Sequence, residues 1–287
     1  MQEKKRGRTH SRWLLPAALV LAGAAWFENF TLSTSTVTAA CAALPEAFSG
    51  LRIVQISDLH GRHFDAESRY LLELVRLQSP DLIALTGDLA DEFTDFSMLP
   101  PLLDGLTALA PTFYVTGNHE WVLSREKREA LFSMLDAAGV VRLQNEYRLL
   151  KKGQASIVLA GVDDPNGPYD QKRPAQLVRE IRQSRGRDAY ILMLSHRNDE
   201  LDLWANMGVQ TVLCGHGHGG IVRLPFVGAV FGTHLDLFPD YTAGLYRKGQ
   251  TSMIVSRGLG GSRKLPLRIG NRPEIVTVIL KAESGKV

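Results

Sequence analysis

At 287 residues, 45% hydrophobic and 22% charged, the chain is long enough to bury a large core and has none of the bias of a disordered or fibrous protein. The net charge of +3 is small, and five basic residues (Lys4, Lys5, Arg6, Arg8, Arg12) fall in the first twelve positions, which argues against a nucleic-acid-binding face. Two cysteines, Cys41 and Cys214, cannot build a disulfide framework and match no cysteine-based zinc spacing.

The basic head is followed by "WLLPAALVLAGAAWF", Trp13 to Phe27, fifteen residues without a charge. As a helix this spans roughly 22 Å, short of a hydrocarbon core of about 30 Å. Trp13 and Trp26 near its ends suggest interfacial anchors. The expectation is an uncleaved signal anchor within residues 1–30, ahead of a cleaved signal ending near "AGA" (Ala22 to Ala24) and of a buried helix. No Lys or Arg follows until Arg52, so the positive-inside tendency puts the head in the cytoplasm and residues 31–287 outside it, at the cell membrane. Cys41 follows "TAA" but lies well beyond the apolar run, which argues against acylation.

Residues 31–287 show no repeat or low-complexity linker and read as one domain. "TLSTSTVTAA" from Thr31 can form a strand. The runs "LRIVQIS" from Leu51, "DLIALT" from Asp81, "TFYVT" from Thr112, "SIVLAG" from Ser156, "YILMLS" from Tyr190 and "TVLC" from Thr211 each look like a buried strand. Among them lie helical patterns. "AESRYLLELVRLQ" spaces its apolar residues at three and four, "REKREALFSMLDAAG" ends on a capping glycine, and "RPAQLVREIRQSRG" begins with proline in its first turn. The alternation implies α/β architecture. In the last third, "IVRLPFVGAVFGTHLDLF", "AGLYRKGQTSMIVSRGLG" and "EIVTVILKA" read as antiparallel strands forming a second sheet, so a sandwich with helices outside is expected.

Five strand ends carry Asp, Asn or His: Asp58 and His60, Asp88, "GNHE" from Gly117, His196, then His216 and His218 in "CGHGHGG". Open α/β sheets collect their sites beyond the carboxyl ends of strands, so residues scattered along the chain can converge. Singly, each is an ordinary turn or cap residue. Together they offer oxygen and imidazole donors, a set suited to manganese, iron or zinc rather than a thiolate-bound structural zinc.

The series "DLH", "GD", "GNHE", His and "GHGH", in this order, resembles the calcineurin-like metallophosphoesterases from about Leu51 to Leu280. "AGVDDP", "VSRGLG" and "RPEIVTVIL" add a resemblance to their bacterial membrane-associated YkuE-like and YaeI-like branch. Gly217 stands where Thr is usual there, and Ile221 where Gln is usual. The resemblance implies a four-layer α/β/β/α sandwich of two mixed sheets with flanking helices, here preceded by the apolar anchor helix. It implies two divalent ions: Asp58, His60 and His218 hold one, Asn118, His196 and His216 the other, and Asp88 bridges. His119 resembles the catalytic acid.

Two such ions activate a bridging hydroxide for in-line attack on phosphorus. With the anchor, this points to a dinuclear-metal phosphoesterase acting on a lipid-linked or cell-envelope phosphodiester or pyrophosphate. A soluble-substrate nucleotide or cyclic-nucleotide phosphodiesterase and a non-catalytic binding platform are the alternatives. Of the remaining residues, Glu120 can orient its loop and Arg197 can bind phosphate, with an exposed salt bridge as the alternative for each, and Asp163 and Asp164 shape a turn before Pro165. His10, His63 and His234 are expected to be non-ligands. "LPFVGAVFGTHLDLF", Leu224 to Phe238, is unusually apolar after a site loop and reads as a core hairpin or as a lid for acyl chains.

Overall fold

Apolar β-branched runs become strands and amphipathic runs become the helices that cover them. A computed structural model describes residues 11–65, 67–233, 235–261 and 268–283. The expectations for Lys4, Lys5, Arg6, Arg8, His10 and His234 therefore lie outside the described residues. The first half runs α1 (Ser11–Phe30), β1 (Ser33–Cys41), β2 (Arg52–Ile56), α2 (Arg69–Leu77), β3 (Leu82–Thr86), α3 (Leu99–Leu109), β4 (Thr112–Val115), α4 (Asn118–Val122), α5 (Arg125–Ala137) and β5 (Val141–Arg142). There follow β6 (Glu146–Lys152), β7 (Ala155–Gly161), α6 (Pro174–Arg185), β8 (Ile191–Leu194), α7 (Leu201–Asn206) and β9 (Thr211–Cys214). The chain closes with β10 (Val222–Leu224), β11 (Gly228–Phe231), β12 (Gly244–Lys248), β13 (Thr251–Val255) and β14 (Glu274–Ala282).

Two six-stranded mixed sheets result, ordered β1-β14-β2-β3-β4-β5 and β12-β13-β9-β8-β7-β6, with β10 and β11 forming a separate pair. Their facing sides share one core, in which Ile53, Ala84, Phe113 and Val276 of the first sheet pack with Leu159, Leu192, Leu213 and Ile254 of the second. The outer face of the first sheet is covered by α2, α3 and α5 through Leu71, Leu102 and Leu131. α6 and α7 cover the second through Ile181 and Trp204. Gln55, buried in β2, ties the sheets directly: its Nε2 donates to Thr86 Oγ1 (3.0 Å) and to the Cys214 carbonyl (2.8 Å).

The helix boundaries follow local chemistry. Ser124 Oγ accepts the Lys127 N–H (3.3 Å) at the start of α5. In α6, Pro174 fills the first turn and Gln176 Oε1 reaches back to the Arg173 N–H (2.8 Å).

Three features depart from the sequence reading. The C-terminal strands do not make one sheet: β10 and β11 pair separately and β12 pairs with β13, both antiparallel as expected, but β13 adds parallel to β9 and β14 enters the first sheet, parallel to β1 and antiparallel to β2. α3 is a helix the sequence reading did not name; its two prolines, Pro100 and Pro101, are tolerated because they sit in the first turn. β6 is an edge strand whose half-exposed pattern gave no clean alternation.

α1, 20 residues long, covers the expected anchor segment. Among the described residues no helix is long and apolar enough to cross a membrane. Its described side chains from Pro16 to Phe27 are all exposed, whereas Asn29 at its far end is buried against the domain.

Candidate metal centre

β2, β3 and β4 lie parallel in one sheet, β8 and β9 parallel in the other, and all five end at the same edge of the sandwich. The residues that follow them meet there. Asp58, His60, Asp88 and His218 can each aim one donor atom so that all four atoms lie within 4.8 Å of one another, and Asp88, His196 and His216 do the same. Asp88 is common to both groups: its Oδ2 is 3.6 Å from His60 Nε2 and 3.2 Å from His196 Nε2. His196 Nε2 is also 3.2 Å from Asn118 Oδ1 and 3.2 Å from His216 Nδ1. The seven residues expected as ligands are thus brought together. His119 lies beside them, its ring edge-on to that of His60 at 4.7 Å and its backbone N–H donating to Asp88 Oδ1 (2.8 Å).

Convergence demands unusual backbone. Asp58 (φ +49°), His60 (+49°), Asp88 (+51°), His216 (+68°) and His218 (+50°) all occupy the left-handed region. Each such residue costs about 1 kcal/mol or more, and all five are candidate donors. Strain concentrated on donor residues is what a binding centre produces.

The donors fit divalent cations on a second ground. Both ring nitrogens of His60 and Nδ1 of His218 are buried without a hydrogen-bond partner, a cost avoided when imidazole nitrogens coordinate an ion. Beside His60, Asp91 Oδ2 lies 3.7 Å from Nδ1, placed to orient the ring as carboxylates commonly do for metal-bound histidine. Burial pushes the Asp91 carboxyl up, but His60 and the Phe93 N–H and Thr94 hydroxyl outweigh it and hold it at about 2.

Charge balance points the same way. Burial alone would lower His196, yet Asp88 and Asp58 raise it to about 10. Burial likewise raises Asp88, but the charge of His196 prevails and keeps it well below the usual carboxylate range. His218 is pushed well below the ordinary histidine value by burial and by the charges of His60 and Arg268. The neutral imidazole so favoured at His218 has a lone pair to offer a cation.

Surrounding residues hold the loops in place. Glu120 is fully buried and accepts N–H groups from Gly117 (2.7 Å), Asp88 (3.0 Å) and Leu89 (2.7 Å), binding the "GD" and "GNHE" loops together. Burial and the charge of Asp88 push it up to about 7. Arg197 makes a two-point contact with buried Asp164 (2.6 and 3.0 Å) and reaches His216 Nε2 (3.0 Å). Neither residue makes the exposed salt bridge expected as an alternative: Glu120 is buried on backbone N–H groups, and Arg197 pairs with buried Asp164, which was read as a turn residue. Arg268, unnoticed in the sequence, is buried and donates to the carbonyls of His218 (3.3 Å), Arg257 (2.8 Å) and Gly258 (3.3 Å). Its only sequence signal was an arginine among apolar and glycine residues. Gly217, in place of the usual Thr, has a reason: a β-carbon there would come within 2.6 Å of Asn198 Nδ2, which donates to the Tyr241 carbonyl (2.8 Å).

Gly215 is required by close approach, since a β-carbon there would strike Ser57 Oγ and the Asp58 carboxylate. Gly215→Ala is expected to weaken binding of Mn²⁺ at least about tenfold, as displacement of a ligand's support does. Calorimetric titration of the folded variant checks this, and wild-type affinity would show that Asp58 tolerates displacement.

Residues 51–220 match the sequence family described as calcineurin-like phosphoesterase. The chain is 31% identical over 267 residues to the metallophosphoesterase YkuE of Bacillus subtilis, covering 90% of this chain and 89% of that one. It is 31% identical over 234 residues to the phosphodiesterase YaeI of Escherichia coli, covering 80% and 82%. It is also 27% identical over 253 residues to a Danio rerio protein named transmembrane protein with metallophosphoesterase domain, covering 83% of this chain and 55% of the other.

Proposed function

The chain belongs to the calcineurin-like phosphoesterase family and is a phosphohydrolase dependent on two divalent metal ions, and we propose that it hydrolyses a phosphodiester or pyrophosphate bond of a lipid-linked or cell-envelope molecule. In this reading Asp58, His60 and His218 hold one ion, Asn118, His196 and His216 the other, and Asp88 both. The bound ions supply an activated water and neutralise phosphoryl charge. The protein's own part is positioning: the two sheets fix the donors, Glu120 locks two of the loops, and Arg197 presents a guanidinium at the rim. His119, next to Asp88 and His60, donates the proton that an alkoxide leaving group needs.

The observation that carries the substrate class is the attachment of α1. Asn29 is buried where the helix meets the domain, and its side chain and the Arg268 backbone exchange two hydrogen bonds (2.8 and 3.1 Å). Arg268 in turn holds the carbonyl of His218. The end of α1, whose described side chains from Pro16 to Phe27 are exposed, is thus tied by hydrogen bonds to a loop of the metal centre. We take residues 1–30 as a membrane anchor with its basic head in the cytoplasm, the domain of residues 31–287 facing outward from the cell membrane.

A cavity of about 420 Å³ beside His216 and Arg197 is lined by Asp199, Asp236 and Asp240. Those carboxylates oppose a leaving group bearing further phosphates, which favours the phosphodiester over the pyrophosphate and over nucleoside di- and triphosphates. The test is turnover by the manganese-loaded full chain of a diacylglycerol phosphodiester in mixed vesicles, of bis(p-nitrophenyl) phosphate and of cyclic nucleotides. Preference for the vesicle substrate is expected, and turnover confined to cyclic nucleotides would contradict the reading.

A further inference from the structure

The stretch from Leu224 to Phe238 was readable as a core hairpin or as a lid; it does form a hairpin, with Ala229 buried, but Leu224, Phe226, Val227, Leu235, Leu237 and Phe238 face solvent. β10 follows the "GHGHGG" loop at once and pairs with β11; Leu237 bridges back to Phe231 and the Phe238 N–H donates to the Val230 carbonyl (3.2 Å). The result is a small two-stranded flap with Leu237 and Phe238 folded back against it. Phe226 at its tip is fully exposed, and Val227, Leu237 and Phe238 are 59%, 72% and 66% exposed. Single exposed apolar residues are ordinary, but a cluster of this kind on one short element is a contact surface. Phe226 (φ +65°), Leu235 (+67°) and Phe238 (+50°) also adopt left-handed backbone, a conformation that bulky side chains avoid unless the structure imposes it.

Two positions tie this flap to the rest of the argument. Gly232, Thr233 and Asp236, on its inner edge, line the cavity that reaches His216. At its base, the Ile269 N–H donates to the Ile221 carbonyl (3.0 Å) and the Arg223 N–H to the Ile269 carbonyl (2.8 Å). Ile269 directly follows Arg268, which is bonded to Asn29 of α1. The flap and the end of α1 are therefore neighbours through one extended segment. At that helix end the exposed rings of Phe27 and Phe30 lie under the guanidinium groups of Arg272 (4.5 Å) and Arg62 (5.4 Å). Exposed rings alternating with arginines match the boundary between acyl chains and anionic headgroups.

We propose that the flap formed by residues 224–233 and 235–238 is a second membrane contact, dipping Phe226, Val227, Leu237 and Phe238 into the interface of an anionic bilayer beside α1 and bringing the cavity at His216 level with lipid headgroups. This rests on the reading of α1 as a membrane anchor, and adds to it how the site meets its substrate. Because the chain's cysteines, Cys41 and Cys214, are both buried, Val227→Cys provides a single reactive thiol for an environment-sensitive fluorophore.

With the full chain in vesicles of phosphatidylcholine and phosphatidylglycerol, label emission should shift to the blue and be quenched by nitroxides on shallow acyl carbons. Phe226→Ser combined with Phe238→Ser should leave turnover of bis(p-nitrophenyl) phosphate unchanged and lower turnover of a vesicle-embedded phosphodiester about tenfold, equivalent to roughly 1.4 kcal/mol of lost interfacial binding. Protein that partitions into vesicles while its label stays in water overturns the flap proposal and leaves the anchor standing. Failure to partition at all overturns both. A blue shift without vesicles, accompanied by dimerisation, would assign the flap to a second copy of the chain and overturn its lipid role.

Discussion

Asp88→Ala will retain at most one tightly bound divalent cation per chain and lose about 10⁴-fold in kcat/KM, a loss of roughly 5.5 kcal/mol in transition-state stabilisation. The reason is its place between the two donor groups. One carboxylate oxygen faces both His60 (3.6 Å) and His196 (3.2 Å), so no other described residue belongs to both clusters. Its other oxygen accepts the His119 N–H (2.8 Å), so the change also releases the start of α4. Removing this charge leaves His196 without its principal counter-charge. Metal content after gel filtration, measured by plasma mass spectrometry on protein with native circular dichroism, decides the matter. Two ions retained per chain would contradict a shared ligand.

His119→Ala should behave in the opposite manner, keeping both ions while turnover of alkyl phosphodiesters falls about 10²–10⁴-fold, the range of general acid catalysis. His119 belongs to neither donor cluster, so its removal should leave the ligand geometry standing. A p-nitrophenolate leaving group needs little protonation, and its turnover should suffer far less. The contrast between the two substrates is the diagnostic. Equal losses on both would point to a structural role for the ring that packs against His60.

Much of this architecture was legible because buried strands leave a continuous apolar signature and because Asp58, Asp88, Asn118, His196 and His216 each follow one. Sheet membership was not, since β14 joins β1 in exact parallel register (Ser33 opposite Glu274) across most of the chain's length, and no local pattern encodes so distant a pairing. Nor was the left-handed backbone at Asp58, His60, Asp88, His216 and His218: neither Asp nor His requires it, and tertiary contacts impose it. The neighbours escaped for a related reason. Asp91, Asp164 and Arg268 look like surface or turn residues until folding buries them. The segment from Leu224 to Phe238 stayed ambiguous because apolar residues read alike whether they face a core or a lipid.

The central claim is that donors from five strand ends hold a pair of cations around Asp88. Anomalous diffraction from manganese-soaked crystals tests it most directly. Two peaks about 3.5–4 Å apart are expected, with Asp88 between them, Asp58, His60 and His218 around one, and Asn118, His196 and His216 around the other. A single peak, or peaks away from these residues, would contradict it.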